Sequence, residues 1–330
     1  MTIPSTSYQR QLSMAADFIR EHDDFLVVSH LNPDGDAASS TLAVGWMLER
    51  LNKTFIMINE GPVPPKFDCL WGHGRIVDNS EAKPERTFRH IISVDCADFA
   101  RIGDVSQLFA EDAVLLNIDH HPTNDGFGSV QLIKPDAAAT AEILYDLAVS
   151  LGMKWDEALC RCIYTGMLTD TGGFRYSNTT PNVMRIAAEM IQHGVKGHEL
   201  AERLLENLTL AQVILLRKAL ESLAFANDRQ IAWISVTRDD MTEARATKED
   251  SEGLVNYPRN IEGVEVGILF REANEHTVKV SLRSASRVDV SAIAQVFGGG
   301  GHVRASGCTV EGTIEQVVER VVKEVGQVLG

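Results

Sequence analysis

The 330-residue sequence predicts an α/β protein, with a parallel-sheet N-terminal domain that has helices on both faces and a smaller α+β domain across a cleft. Strand-length apolar runs alternate with helical patterns in the first half, which is typical of βαβ units and a parallel sheet. Beyond about residue 190 the pattern changes to helices that lead into closely spaced strands. The length suits about two domains, at roughly 100–200 residues each.

Four apolar runs supply the parallel strands of the first domain. They do not alternate polar and apolar residues, as expected for strands covered on both faces. Apolar residues recur at helical spacing over 37–51, 137–151 and 158–168, and an amphipathic helix is predicted within 1–24. The four strand runs are 25–29, 55–58, 91–94 and 114–118.

The second pattern predicts a separate domain. Its helices are expected near 198–206, 209–224, 289–297 and 313–329. Its strands are expected at 230–236, 264–270 and 278–282. The predicted organisation is a domain of residues 1–190, a helical linker of 191–225 and a smaller domain of 226–330.

The charge and the cysteines narrow the function classes. With 31 Lys and Arg against 46 Asp and Glu, the net charge of −15 argues against a general duplex-binding protein, which needs a broad basic face. Phosphate chemistry stays open, because bound divalent metals reverse the charge of a pocket. Five cysteines without a C-x-x-C pair predict neither a disulfide framework nor a zinc knuckle, and they fit a reducing cytoplasm. No signal peptide or membrane span is predicted.

An imidazole and two carboxylates follow the first predicted strand, as His30, Asp34 and Asp36. Open α/β sheets bind ligands at such strand ends. Mixed nitrogen and oxygen ligands suit Mn²⁺, with Fe²⁺ or Co²⁺ as alternatives. The structural alternative is a helix N-cap, which Asp36 could supply alone.

Two more strand ends carry ionisable groups. Asp95 follows the third strand, and although a lone Asp is typical of a turn, this one shares the sheet edge with His30. Asp119, His120 and His121 end the fourth strand, where each group needs a partner on leaving water. Adjacent histidines point in different directions, so one can bind metal while the other reaches a substrate. A structural histidine pair is the alternative.

Asp170 adds a carboxylate where a predicted helix runs into a glycine-bearing turn. Together the four segments offer enough ligands for two metals that share a bridging carboxylate. Two ions about 3.5–4 Å apart can hold the attacking and leaving oxygens of a phosphoryl transfer. The candidate ligands are His30, Asp34, Asp36, Asp95, His120 and Asp170.

The smaller domain carries a glycine run, Gly298–Gly301, followed by His302. Glycines let the backbone approach a ligand closely and direct its N–H groups at an anion. The chain has no G-x-G-x-x-G and no Walker lysine, so neither a dinucleotide cofactor nor P-loop chemistry is indicated. A flexible hinge is the alternative, but His302 and the upstream Arg283 and Ser284 favour a phosphate or nucleobase clamp.

These motifs resemble, in order, the four motifs of the DHH phosphoesterase family, and GGGGHVRASG is similar to the signature of its associated C-terminal domain. The similarity spans almost the whole chain. Without extra domains, the arrangement is most similar to the stand-alone NrnA-like oligoribonucleases and pAp phosphatases. The matching motifs are His30-x-Asn-Pro-Asp34-Gly-Asp36, Asp95-x-x-Asp98, Asp119-His120-His121 and Thr169-Asp170-Thr-Gly.

The resemblance implies roles for the ligands. His30 and Asp34 would hold one Mn²⁺, and Asp95 would bridge it to a second. The second ion would be held by Asp36, His120 and Asp170.

It also implies roles for the groups around them. His121 would contact the scissile phosphate and Asp119 would orient the histidines, with Asp98 in a supporting role. The family's substrate-binding stretch matches Arg283, Ser284, Gly299, Gly300, Gly301 and His302.

The resulting hypothesis is a manganese-dependent phosphoesterase for very short oligoribonucleotides (nanoRNA) and 3′-phosphoadenosine 5′-phosphate (pAp). Hydroxide held between two Mn²⁺ would attack phosphorus, with Mg²⁺, Co²⁺ or Fe²⁺ as alternative ions. The C-terminal domain would grip the far end of the substrate across the cleft. Long duplexes and membranes are not expected partners, and a homodimer fits the family type.

Two rival hypotheses remain. One keeps the chemistry but takes a cyclic dinucleotide such as c-di-AMP, or its linear product. The other is a catalytically silent nucleotide sensor, which the presence of all six candidate ligands disfavours.

Overall fold

The computed structural model describes residues 7–329, so the first six residues of the predicted N-terminal helical segment lie outside it. The chain divides into two compact units, Met1–Asn207 and Leu208–Gly330. The boundary between the units falls inside the predicted helical linker, residues 191–225. The α/β fold with a second sheet in the C-terminal region is confirmed.

The sheet of the N-terminal unit has six strands, all parallel, in the order β3-β2-β1-β4-β5-β6. The four predicted runs form its centre, and two short strands that sequence reasoning missed, β3 and β6, form its edges. The chain order reverses between β1 and β4, which is where open α/β sheets bind ligands. The strands are β1 (Phe25–Val28), β2 (Phe55–Asn59), β3 (Ile76–Asp78), β4 (Phe88–Val94), β5 (Phe109–Asp119) and β6 (Val130–Ile133).

Helices cover both faces of this sheet, but unequally. The α-helices pack on one face, against side chains such as Phe25, Val27 and Ile92. On the other face, a 3₁₀ segment, Phe99–Leu108, packs against Leu26 and its neighbours. The α-helices are α1 (Tyr8–Glu21), α2 (Gly35–Arg50), α3 (Thr140–Leu151), α4 (Glu157–Asp170), α5 (Pro181–Gln192) and α6 (Gly197–Ala201), with a π-helical turn over Glu202–Glu206.

The C-terminal unit contains a mixed six-stranded sheet in the order β11-β12-β10-β9-β8-β7. Only β8 and β9 run parallel; the other pairs are antiparallel. The strands are β7 (Ala224–Ala226), β8 (Ile231–Val236), β9 (Val266–Asn274), β10 (Thr277–Ser284), β11 (Gly300–His302) and β12 (Ala305–Glu311). The helices are α7 (Leu210–Glu221), α8 (Arg238–Ala244), α9 (Asn256–Arg259), α10 (Val290–Val296) and α11 (Ile314–Leu329).

The two faces of this second sheet differ. Helices α10 and α11 cover one face through an apolar core that includes Val280, Phe270 and Val321. On the other face a smaller core with Leu215 and Leu269 packs α7 and α8 over β8 and β9. Within residues 7–329, no helix combines the length and apolar character needed to cross a bilayer.

Candidate metal centre

The candidate ligands of the N-terminal unit gather at the carboxyl edge of its parallel sheet. His30 follows β1, Asp95 follows β4 and His120 follows β5. Asp36 lies in the first turn of α2, and Asp170 is the last residue of α4. The fold therefore brings residues 140 positions apart in the chain to one place, next to the point where the strand order reverses.

Asp95 lies between the two candidate ligand histidines, His30 and His120. One of its oxygens, Oδ2, lies 3.7 Å from His30 Nε2, and the other, Oδ1, lies 3.6 Å from His120 Nε2. Asp34 Oδ2 lies 3.8 Å from His30 Nε2, and Asp170 Oδ2 lies 3.2 Å from His120 Nε2. Both histidines thus face Asp95, and each also faces a carboxylate of its own, Asp34 for His30 and Asp170 for His120.

Three overlapping groups of donor atoms result, each with its atoms within 4.8 Å of one another. The first two share Asp95, and the last two share His120. The groups are His30–Asp34–Asp95, Asp95–His120–His121 and Asp36–His120–Asp170.

Hydrogen bonds to the main chain fix the orientation of His30 and His120. His30 Nδ1 lies 2.9 Å from the Leu31 carbonyl, and His120 Nδ1 lies 3.2 Å from the Ala137 carbonyl. A carbonyl only accepts, so each Nδ1 carries a hydrogen, and each Nε2 faces the carboxylates of the cluster. Metal-binding histidines are typically held this way by their other nitrogen. The imidazoles and carboxylates present therefore fit divalent metal ions.

The backbone at Asp95 adopts a left-handed conformation, with φ of 55°. Such a conformation costs about 1–3 kcal/mol for a residue with a side chain and is concentrated at functional sites. The Asp95 N–H donates to the Ile118 carbonyl at 2.9 Å, and the Thr140 hydroxyl donates to Asp95 Oδ1 at 2.9 Å. These contacts hold the carboxylate between the histidines.

Asp36 is fully buried against the first turn of α3. Its two oxygens accept hydrogen bonds from the N–H groups of Thr140 (2.6 Å) and Ala141 (3.1 Å). The positive end of the helix stabilises the carboxylate there. A Cβ at Gly166 of α4 would overlap with Asp36 Oδ1, so a glycine is required for the close approach of α2 and α4.

Asp34, and not Asp36, is the N-cap of α2. Its Oδ1 accepts from the N–H groups of Asp36 and Ala37, each at 3.1 Å. The alternative that Asp36 serves as the cap is therefore wrong. Since Asp34 Oδ2 faces His30, one carboxylate both caps the helix and reaches the ligand cluster.

The packed carboxylates perturb one another. Burial raises the pKa of Asp36 well above its usual range, and the nearby charges of Asp95 and Asp170 raise it further. Burial also raises the pKa of Asp170 to about 6. Burial alone would lower the pKa of His120, but its hydrogen bond with Asp170 raises it well above 6.5. All three shifts favour the protonated forms, so cations that bind here would compete with protons.

His121 is held by a second buried carboxylate. Its Nδ1 lies 2.7 Å from Asp119 Oδ1, and the Asn124 amide donates to Asp119 Oδ2 at 2.7 Å. Asp119 is fully buried, and its bonds to His121 and Asn124 lower its pKa although burial acts in the other direction. Asp119 contacts His121, whereas His120 is oriented by the Ala137 carbonyl.

Sequence reasoning missed Asn124 and Thr140, which contact Asp119 and Asp95 respectively. The N–H of Thr140, which donates to Asp36, was detectable, because the first turn of a helix provides N–H donors for a carboxylate. Asn124 gives no comparable signal. Asp98 caps the 3₁₀ segment by accepting from the Arg101 N–H at 3.1 Å.

The predicted substrate-binding residues of the C-terminal unit lie on β10 and around β11. Arg283 and Ser284 are adjacent on β10, so their side chains point to opposite faces. Arg283 is half-buried, whereas Ser284 is fully buried, with its hydroxyl lacking a hydrogen-bond partner among the described residues. Register places Arg283 and His302 on either side of Ala305, on one face of the sheet.

The glycine run forms part of a β-hairpin. Gly300, Gly301 and His302 make up β11, which pairs with β12. A Cβ at Gly299 would overlap with the Gly307 carbonyl, whereas one at Gly300 would meet no atom within 4 Å. Packing thus explains the glycine at 299, and the space at 300 is open to a ligand.

Comparison with known proteins gives a consistent result. Two family profiles match: "DHH family, N-terminal domain" over residues 24–167 and "DHHA1 domain" over residues 227–330. The protein named bifunctional oligoribonuclease and PAP phosphatase NrnA from Thermus thermophilus is 34% identical over 99% of this chain and 97% of its own length. The Bacillus subtilis protein of the same name is 27% identical over 88% of this chain and 90% of its own length. The crystal structure of an exopolyphosphatase-related protein from Bacteroides fragilis covers 99% of both chains, with a TM-score of 0.90 and 26% identity.

Proposed function

We propose that this chain, which belongs to the DHH family, hydrolyses very short oligoribonucleotides and pAp with the help of two Mn²⁺ ions. As a member of that family with NrnA relatives along its whole length, it is a hydrolytic phosphoesterase. The observation that carries the metal proposal is the position of Asp95, whose two oxygens face His30 and His120 respectively. The proposed substrates rest on the similarity to the NrnA relatives.

The proposed ligand sets follow the observed groups. His30 and Asp34 would hold one ion, with Asp95 shared. Asp36, His120 and Asp170 would hold the other. Bound there, divalent ions lower the pKa of water and neutralise charge that develops on phosphate oxygens. The mixed imidazole and carboxylate donors suit Mn²⁺, with Mg²⁺, Co²⁺ and Fe²⁺ as alternatives.

The remaining groups of this unit position the substrate. Asp119 fixes the His121 ring through Nδ1, and His121 would contact a phosphate oxygen of the scissile group. Asn124 holds Asp119 in turn. These two hydrogen bonds orient the imidazole before the substrate binds, so substrate binding does not have to supply the free energy of ordering it.

The C-terminal unit would bind the part of the substrate that does not react. Arg283 and His302 share one face of its sheet with the open backbone at Gly300. A guanidinium, an imidazole and a bare peptide segment suit a phosphate or a nucleobase. Ser284 remains a predicted contact, although its hydroxyl is buried on the other face.

The test compares kcat/KM for pAp, di- to pentaribonucleotides and c-di-AMP under a single Mn²⁺ condition. We expect turnover of pAp and the short oligonucleotides. If c-di-AMP has the highest kcat/KM, the proposed substrates are wrong and the protein is a cyclic-dinucleotide phosphodiesterase.

A silent sensor is separated from an enzyme by a generic substrate. The wild-type protein with Mn²⁺ is expected to release nitrophenol from bis-p-nitrophenyl phosphate. A protein that binds pAp but releases no nitrophenol would contradict the enzymatic assignment.

The proposed location is the cytoplasm. All five cysteines are free thiols, which fits the reducing compartment expected from the sequence. A homodimer stays a prediction, to be checked by the mass of the protein in solution.

A further inference from the structure

A row of donor groups crosses the exposed part of the C-terminal sheet. Register places Lys279 of β10 directly opposite Arg271 of β9 on one side and Thr309 of β12 on the other. Lys279 and Thr309 are exposed and Arg271 is half-buried. Three neighbouring strands thus present an ammonium, a guanidinium and a hydroxyl, side by side.

The row occupies the same sheet face as the predicted substrate-binding residues. Side chains alternate along a strand, so Lys279 and Arg283, four positions apart on β10, point to one face. The apolar core beneath α10 and α11 lies on the opposite face of β10. On the face that carries Lys279, the smaller apolar core covers β8 and β9. Over β10 and β12 this face also carries Thr277, Ser281, Gly307 and Glu311. Among the described residues Glu311 is the carboxylate of β12 on this face, and it forms no ion pair with Lys279.

The positive charges of the row lack acidic partners. Among the described residues, no carboxylate forms an ion pair with Arg271 or Lys279, and Glu249 acts on Arg271 only through its more distant charge. Partial burial, followed by the charges of Arg271 and Lys248, lowers the pKa of Lys279. Like charges directly opposite each other destabilise a sheet. A chain with a net charge of −15 has many carboxylates that could have neutralised this row.

We propose that Arg271, Lys279 and Thr309 form a second phosphate site, which binds the backbone of an oligonucleotide at a distance from the Arg283 row. This inference rests on the proposed function. Four residues of β-strand separate the rows by about 14 Å. The two phosphates of pAp are attached to one ribose and cannot reach both rows, whereas several linked nucleotides can. The site therefore selects for oligonucleotide length.

The test uses Lys279→Gln, Arg271→Gln and the double variant in the full-length protein with Mn²⁺. Both changes remove charge at the surface and keep most of the side-chain volume, and thermal unfolding checks the fold. The matched control is Lys323→Gln, an exposed lysine of α11 on the other side of the sheet. The readout is the ratio of kcat/KM for a pentaribonucleotide to kcat/KM for pAp.

We expect that ratio to fall roughly tenfold in the double variant and to stay constant in the control. Each lost phosphate contact should also reduce the slope of log affinity against log salt by about 0.7 for the pentanucleotide. An unchanged ratio and salt slope, or equal losses for pAp and the pentanucleotide, overturns the inference. The inference is also overturned if the variants lose orthophosphate binding but keep the pentanucleotide affinity of the wild type. The row would then bind free anions only.

Failure of the proposed function gives a different result. If the wild-type protein hydrolyses neither pAp nor the pentanucleotide, the substrate assignment fails. Fluorescence anisotropy of a labelled pentaribonucleotide then still decides the inference, since weaker binding by the double variant supports it and equal binding overturns it.

Discussion

In the N-terminal unit the ionisable groups are buried at the ends of parallel strands, whereas in the C-terminal unit the basic groups lie on a partly open face of a mixed sheet. Asp95 and His120 are only 2% and 6% exposed, and Lys279 is exposed. The buried groups each have two or more fixed partners. The exposed groups have few, so they can accept a partner from outside.

This difference suits the N-terminal unit to holding metal ions and the C-terminal unit to binding a phosphate. Buried carboxylates at close range repel one another and favour cations, and the surrounding hydrogen bonds fix where those cations would lie. An exposed cation on a strand gains little from its own protein and keeps its capacity for a phosphate. A negative total charge is therefore compatible with a nucleotide substrate, because Arg271, Lys279 and Arg283 lie together on one face of the C-terminal sheet.

Removing the shared carboxylate should have the largest effect. Asp95→Ala takes one oxygen from each ligand histidine, so we expect both metal sites to weaken and kcat for pAp to fall by more than about 100-fold. Metal content after gel filtration and the rate of pAp hydrolysis measure the two losses. Asp98→Ala is the matched control, since it removes a helix cap near by and should retain the metal. Normal turnover in Asp95→Ala would refute the proposed mechanism.

Asn124→Ala should have the next largest effect. It leaves Asp119 Oδ2 without its amide donor, so His121 is held less firmly, and we expect kcat to fall roughly 10- to 100-fold. KM and metal stoichiometry should change little, because neither metal group loses a ligand. Asp125→Asn is the control, since Asp125 accepts from the Phe127 N–H and not from this network. An equal loss of metal in Asn124→Ala would show that the network supports the metal groups instead.

Acidification should weaken metal binding. Because burial raises the pKa of Asp170 to about 6, its carboxyl is protonated below that pH, and the proton must leave before a metal binds. We expect Mn²⁺ affinity at pH 5 to be about tenfold lower than at pH 7. Calorimetric titration with Mn²⁺ across this range measures it. A constant affinity from pH 5 to 7 would contradict a role for Asp170 as a ligand.

The metal-free protein should show the opposite trend in stability. A carboxyl whose folded pKa is raised, such as that of Asp170, stabilises the fold when protonated and loses this contribution as pH rises from about 4 to about 6. His120, whose folded pKa is also raised, loses its contribution as pH rises above about 6.5. The Tm of the metal-free protein should therefore decrease from pH 5 to pH 8. Added Mn²⁺ should reverse the decrease.

The sequence predicted the parallel core of the first unit because its four central strands are continuous apolar runs. Strands β3 and β6 were missed because three- and four-residue edge strands carry too little pattern. No strand was predicted in the glycine run, but backbone pairing with β12 makes its end a strand. Pairing between distant segments overrides local preference there.

The candidate ligands were predictable because strand ends of a parallel sheet converge. Their orientation was not, since it depends on carbonyls and N–H groups such as those of Leu31, Ala137 and Thr140. Backbone groups are present at every position, so no residue type marks the ones that matter. The basic row was equally hidden, because Arg271 and Lys279 become neighbours only through strand register.

The smallest predicted effects distinguish the two explanations for the glycine run. Gly299→Ala should lower the free energy of unfolding by about 1–3 kcal/mol, since its Cβ would overlap with the Gly307 carbonyl. Gly300→Ala meets no atom within 4 Å, so we expect its stability to change by less than about 0.5 kcal/mol. If substrate approaches the backbone at Gly300, this variant should raise KM for pAp while its urea midpoint stays constant. A KM equal to that of the wild type would assign the glycines of this hairpin to packing alone, and Arg283 and His302 would then bind the substrate without backbone contact.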